Sequence, residues 1–179
     1  MDIKRVIEIL QKKYKIKIWE EDPFKILIST ILSQRTKDEI TREAAKKLFK
    51  IADKPEKILK LSEKKIANLI KPVGFYNQKA ERIKKVCKII LEKYKGKVPD
   101  SREELLKLPG VGFKTADVVL CYGFKKDVIP VDTHVATIAR RLRLSNSKDL
   151  EKIRYDLHKK IPRKYRRIFN LLMVEFGKD

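Results

Sequence analysis

Apolar residues recur every three to four positions along most of this chain, and that period sets the expected fold class. Ile3, Val6, Ile7 and Leu10 share one helical face. Asp22-Pro23 supplies an N-cap followed by proline at the first helical position. The run it opens, Phe24 to Leu32, is apolar on almost every side and predicts a buried helix. Thr36-x-x-Glu39 reads as a capping box ahead of Ile40, Ala44 and Leu48. Asn77 stands as the cap of a longer helix carrying Ala80, Ile83, Cys87, Ile90 and Tyr94 and stopping near Gly96. Ser101-x-x-Glu104 is a second capping box, and its short helix ends at Pro109. Helix resumes over Lys114–Tyr122, and Lys125–Val131 reads as extended. Asp132 then precedes a helix with Val135, Ile138, Ala139 and Leu142 on its apolar side, followed by helices at Lys148–Lys159 and Arg163–Phe176. No pair of alternating strands joined by a tight turn is legible, so the expected fold class is all-α. One faint internal echo, Lys71-Pro72-Val73-Gly74-Phe75 against Leu108-Pro109-Gly110-Val111-Gly112-Phe113, suggests a second hairpin.

Composition narrows the partners more than the fold. The 179 residues suit one domain or two small, closely packed ones, with no low-complexity linker between them. Lys and Arg number 45 against 24 Asp and Glu, a net charge of +21. A surplus that large points to a polyanion, because neutralising phosphates releases condensed counterions. Abundant Lys, Glu and Ile also fit a thermophile surface, but thermophily enriches both signs and leaves the excess of one unexplained. The two cysteines, Cys87 and Cys121, sit among apolar neighbours and read as core residues in a reducing compartment. No stretch is apolar enough to span a membrane and the N-terminus is unlike a signal peptide, so a soluble, intracellular protein is expected.

The chemistry gathers at Leu108-Pro109-Gly110-Val111-Gly112, with Lys114 just beyond and Asp132 inside Pro130-Val131-Asp132-Thr133-His134. Gly110 and Gly112 are expected to permit positive φ and to leave main-chain N–H groups bare for a phosphate, at the N-terminus of the next helix. The alternative is an ordinary tight turn. Lys114 is by default a solvated phosphate contact; as a nucleophile it must first become neutral. Asp132 sits where an N-cap belongs, and it could also accept a proton from an amine and stabilise a cationic sugar. With only His134 and His158 present, a histidine metal site is not expected, and His134 is given a supporting role. The run Lys159 to Arg167 holds six cations and no acid, either phosphate contacts or a solvated helix face.

Leu108-Pro-Gly-Val-Gly-Phe-Lys-Thr-Ala-Asp-Val-Val119 followed by Val131-Asp-Thr-His134 resembles the helix–hairpin–helix DNA glycosylase superfamily, and within it the endonuclease III family. The resemblance extends from Ile26 to about Phe176 and takes in Ile31-Leu-Ser-Gln-Arg-Thr-Lys-Asp38 and Val73-Gly-Phe-Tyr-Asn-Gln-Lys-Ala80. It implies a two-lobed helical fold with a cleft between the lobes. Residues 22–124 would form the central lobe, with the helix–hairpin–helix at about 101–122, and residues 1–21 with 125–179 the second. It implies double-stranded DNA holding a damaged base or an abasic site as partner, bound by a monomer in the prokaryotic cytoplasm, at the nucleoid. The base, an oxidised pyrimidine, would be flipped from the helix. Lys114 would be the nucleophile and Asp132 its assistant, leading through a Schiff base to β-elimination. Leu108, Pro109, Gly110, Val111, Gly112, Phe113, Thr115 and His134 would contact DNA. Gln34 or Arg35, with Phe75, would fill the space left by the flipped base; the family usually has Gln where Arg35 aligns.

The family commonly continues past its last helix into four cysteines holding a [4Fe–4S] cluster. Those cysteines are absent from this sequence, so no metal or other cofactor is expected within it. Two rival functions stay open. A monofunctional glycosylase for thymine or uracil opposite guanine would not nick abasic DNA. A non-catalytic helix–hairpin–helix module would bind any duplex.

Overall fold

A computed structural model describes residues 2–178. The chain divides into two compact units, Glu21–Val119 and Met1–Glu20 with Leu120–Asp179. Among the described residues every regular element is helical.

The Glu21–Val119 unit holds seven helices: α2 (Pro23–Ser33), α3 (Asp38–Ile51), α4 (Pro55–Leu59), α5 (Glu63–Ile70), α6 (Tyr76–Tyr94), α7 (Arg102–Leu106) and α8 (Phe113–Val118). α2 is the buried helix that its composition predicts. Ile26, Leu27, Ile28, Ile31 and Leu32 have no exposed surface, and α3, α6 and α8 pack around them. Asp22 caps it, accepting from the N–H groups of Phe24 and Lys25 at 3.0 and 3.2 Å ahead of the first helical residue, Pro23. α4 and α5, too short to show a long apolar stripe, pack against α6 through Ile58, Ile66 and Ile70, all fully buried.

The other unit holds α1 (Ile3–Lys13), α9 (Thr133–Arg141), α10 (Leu150–Lys160) and α11 (Arg163–Phe176). Ile7 and Leu10 of α1, on the face read from the sequence, join one core with Val135, Ile138, Ile153, Leu157, Phe169 and Leu172.

Four local expectations need correction. Thr36 does not cap α3. Its N-cap is Lys37, without a side-chain bond, because the Thr36 hydroxyl is engaged with Gly74 N–H, Lys79 Nζ and Gln34 O. Asn77 lies inside α6, which starts at Tyr76 after Phe75, a residue in the left-handed region at φ 56°. The helix expected over Lys114–Tyr122 is α8 followed by a π-helical turn, Val119–Gly123, and the division between the two units falls at that change of winding. The second capping box is half made: Ser101 Oγ accepts from Glu104 N–H at 3.2 Å, while the Glu104 carboxylate takes Tyr94 and Lys107 instead of reaching back.

α7 and α8 are braced by an ion pair that the sequence reading did not single out. Arg102 Nε donates to Asp117 Oδ1 at 3.2 Å, and the guanidinium carbon lies 4.8 Å from the centre of the Phe113 ring. The Asp117 side chain is 2 % exposed and that of Arg102 22 %. Removing one partner of a fully buried pair costs about 3–5 kcal/mol. With Arg102 partly wetted, Asp117→Ala is expected to lower the unfolding free energy by about 2–3 kcal/mol, read from the midpoint of a urea titration at constant slope.

Candidate active site and nucleic-acid interface

The segment between α7 and α8 is a tight turn closed by Val111 N–H donating to Leu108 O at 3.1 Å. Leu108 and Val111 are buried at 2 % and 7 %, pinning the turn, while Gly110 and Gly112 stay exposed. Gly110 has φ +77°, which calls for glycine, and a Cβ built there would lie 2.3 Å from Arg82 Cδ and push that flexible side chain aside. Gly112 departs from expectation. Its φ of −93° is open to any residue, and a Cβ there would meet nothing within 4 Å. What glycine gives at 112 is a bare main chain at the N-cap of α8. Lys114, the second residue of that helix, is exposed beside the exposed Phe113, whereas Thr115 is buried.

Around this turn the α2–α3 and α5–α6 loops are knitted together by α6. Lys79, 3 % exposed, donates from Nζ to Leu32 O at 2.9 Å, to Gln34 O and to Thr36 Oγ1 at 3.2 Å. It thereby satisfies carbonyls left open at the C-terminus of α2. Gln34 in turn donates from Nε2 to Gly110 O at 3.1 Å, and its Oε1 accepts from Arg82 Nη1 at 3.5 Å. Gly74 N–H donates to Thr36 Oγ1, and a Cβ at 74 would fall 2.9 Å from Arg35 O. The two loops thus touch backbone to backbone. Arg35 and Phe75, both at positive φ and both exposed, stand next to each other, guanidinium carbon 5.7 Å from ring centre. Gln34, Arg35, Phe75, Gln78, Lys79 and Arg82 line a recess of about 340 Å³. The 71–75 segment is therefore no copy of the glycine hairpin: its left-handed residue is Phe75, not a glycine.

Burial, followed by the nearby Arg82 cation, pulls the Lys79 ammonium down from 10.5 to about 8. Lys79→Met would leave two buried carbonyls without a donor, and a loss of about 1–3 kcal/mol is expected. The effect carries a pH signature. Between pH 8 and 10.5 the unfolded chain holds the Lys79 proton and the folded chain has released it. Stability therefore rises with pH through that window, and it does so more in wild type than in Lys79→Met. Urea titrations of both proteins at pH 7.5 and 10 check this.

In the other unit, Asp132 is the N-cap of α9, its Oδ1 accepting from Val135 N–H at 2.8 Å. It is half-buried, and His134, the second residue of α9, is exposed. The Tyr122 phenol is pushed above its usual range by burial, then by the neighbouring Cys121 and Asp132, and its ring lies 6.2 Å from that of Trp19. Two side chains hold the run leading into Asp132. His158 Nε2 accepts from Ile129 N–H at 3.2 Å, and Asn170 Nδ2 donates to Pro130 O at 2.9 Å. Arg166 Nη2 donates to the carbonyl of His158 itself. Of the expected basic run, Arg166 and Arg167 are thus tied inward, Arg167 to Cys121 O and Glu20, while Arg163 and Lys164 are exposed.

The sequence reading missed Lys79, Arg82, Asp117, His158 and Asn170. A signal existed for Asp117, the one charge between Thr115 and Cys121, and for Lys79 and Asn170, which fall on apolar faces of their helices. The residues present do not fit a four-thiolate cluster. Cys87 and Cys121 are both buried and lie in different units, and burial pushes the Cys87 thiol up to about 12. Among the described residues no group of three His, Cys, Asp or Glu could hold a metal ion, and no helix is long and apolar enough to cross a membrane.

Comparison with known proteins bears on this geometry. Residues 28–163 match the family model described as HhH-GPD superfamily base excision DNA repair protein. Endonuclease III of Thermotoga maritima is 50 % identical over 159 residues, which cover 89 % of this chain and 75 % of that protein. A solved structure of a trapped endonuclease III–DNA covalent intermediate superposes with a TM-score of 0.88 at 32 % identity, covering 98 % of this chain and 84 % of that one. A thermostable thymine-DNA glycosylase gives 0.84 at 28 %, covering 96 % and 82 %. The glycine turn, Lys114 and Asp132 all lie inside the matched region, and the chain belongs to the endonuclease III family of the HhH-GPD superfamily of base excision DNA repair proteins.

Proposed function

We propose that this protein acts as a monomer on duplex DNA, removes an oxidised pyrimidine and nicks the strand at the abasic site, with Lys114 as nucleophile and Asp132 as its assistant. One observation carries the reading: an exposed amine follows directly on the glycine turn, in a relative of an endonuclease III caught as a covalent intermediate with DNA. A covalent protein–DNA bond needs a nucleophile on the protein, and a neutral lysine is a competent one.

In the proposed reaction the Lys114 amine attacks C1′ of the flipped nucleotide. The bond from C1′ to the base breaks, and its electron pair leaves with the base, which takes up a proton. Asp132 accepts the proton released by the attacking nitrogen and offsets the positive charge on the sugar. Ring opening gives a Schiff base. Loss of a C2′ proton to solvent water then breaks the C3′–O3′ bond and expels the 3′ phosphate, and a further water hydrolyses the Schiff base to free Lys114.

The turn Leu108–Gly112, with Phe113 and Thr115, would hold a phosphate beside the lesion, and His134 a further DNA contact. For the vacated space in the helix, the reading favours Arg35 with Phe75. Gln34 is tied to Gly110 and Arg82, whereas Arg35 and Phe75 are exposed side by side. Borohydride trapping on a duplex with one oxidised pyrimidine, and on one with an abasic site, tests the whole proposal. The likeness to a thymine-DNA glycosylase supports the monofunctional rival, which releases thymine opposite guanine and leaves abasic DNA uncut.

A further inference from the structure

Asp132 follows a stretch that belongs to no helix, and its position depends on what holds that stretch. Ile129 and Val131 send their side chains into the core at 0 % and 5 % exposure. Apolar burial of that kind fixes depth but not displacement along the chain, since hydrophobic contact is non-directional. Direction is supplied by two side chains from α10 and α11. His158 Nδ1 lies 2.8 Å from Arg154 O, the i−4 carbonyl of its own helix, so Nδ1–H donates there and the neutral Nε2 is left to accept from Ile129 N–H. Asn170, 8 % exposed, donates to the carbonyl of Pro130, which has no N–H of its own and enters the stretch through its oxygen alone. Consecutive residues are thus fastened, one by its donor and the next by its acceptor, three and two positions before Asp132. The His158 main chain is itself held by Arg166.

We propose that His158 and Asn170 are positioning residues for strand cleavage, acting through Asp132 by fixing the displacement of the 129–131 main chain. The inference rests on the reading of Asp132 given above. A misplacement of about 1 Å can cost on the order of 100-fold in rate, so a modest relaxation of this clamp is enough to be seen.

The experiment is steady-state cleavage of an abasic duplex by the full chain, with melting temperatures recorded alongside. His158→Phe and Asn170→Ala are each expected to lower kcat about tenfold with KM changed less than about twofold. His158→Gln, whose amide can accept from Ile129 and donate to Arg154, is expected to recover most of that loss. In an Asp132→Asn background, His158→Phe is expected to add less than about twofold, because its effect has no carboxylate to act through. Should His158→Phe not fold, Asn170→Ala carries the same comparison, since it removes a donor without adding bulk. Wild-type kcat in both single variants, a His158→Gln as slow as His158→Phe, or a full tenfold loss persisting over Asp132→Asn would each overturn the inference while leaving Asp132 in place. Wild-type kcat in Asp132→Asn alone would instead overturn the reading of Asp132, and the inference with it.

Discussion

Lys114→Ala is expected to abolish the borohydride-trapped adduct on both abasic and oxidised-pyrimidine duplexes, and to slow strand cleavage by at least about 10³-fold. The size follows from what is removed. Alanine takes away the only atom on that side chain that can bond to C1′, leaving a turn that can still hold DNA but cannot enter the reaction. Affinity should barely change. One phosphate-neutralising cation fewer would reduce the salt slope of binding by about 1, equally for damaged and undamaged duplex. A binding module predicts the same small affinity change but no adduct in wild type to lose. The monofunctional rival predicts free base released by wild type with abasic DNA left intact. Wild-type trapping alongside an unaltered Lys114→Ala adduct would mean that another amine attacks.

Much of this arrangement was legible beforehand because it rests on local chemistry. The cap at Asp22, the wholly apolar α2, the glycine turn and Asp132 before α9 each follow from a few adjacent residues. Turn conformation, helix capping and periodic burial need no knowledge of the rest of the chain. What escaped was long-range. Thr36 satisfies every local rule for a cap, yet its hydroxyl is taken by Gly74 and Lys79, residues 38 and 43 positions away by hydrogen bonds that no spacing rule anticipates. Gly112 looked like a second left-handed position by analogy with Gly110 and is plain extended backbone. Lys79 escaped in a different way. In a chain with 45 cations its place on the apolar face of α6 is a faint signal, and its burial and three oxygen partners are what separate it from the solvated rest. The same abundance hid Arg82 and Arg102. The net charge pointed to a polyanion but could not tell which cations meet it and which hold loops in place.

Asp132→Asn is expected to be the second large loss, about 10²–10⁴-fold in cleavage rate, with the protein still folded. The distinction from a structural effect lies in the cap. Asparagine is nearly as good an N-cap as aspartate, and its side-chain oxygen can keep the 2.8 Å bond to Val135 N–H, so α9 should start where it does now. What asparagine cannot do is take the proton that the nitrogen releases once the Lys114 amine has attacked, or carry a negative charge opposite a cationic sugar. The melting temperature should therefore stay close to wild type while kcat falls. Asp132→Ala removes the cap as well and should additionally lose about 0.5–2 kcal/mol of stability. The pair separates the two roles of one carboxylate. If Asp132→Asn cleaved abasic DNA at the wild-type rate while Asp132→Ala melted lower, the residue would be a helix cap only, and the proton would have to leave Lys114 by another route. If Asp132→Asn lost the rate without the stability, the carboxylate charge itself would be what the reaction uses.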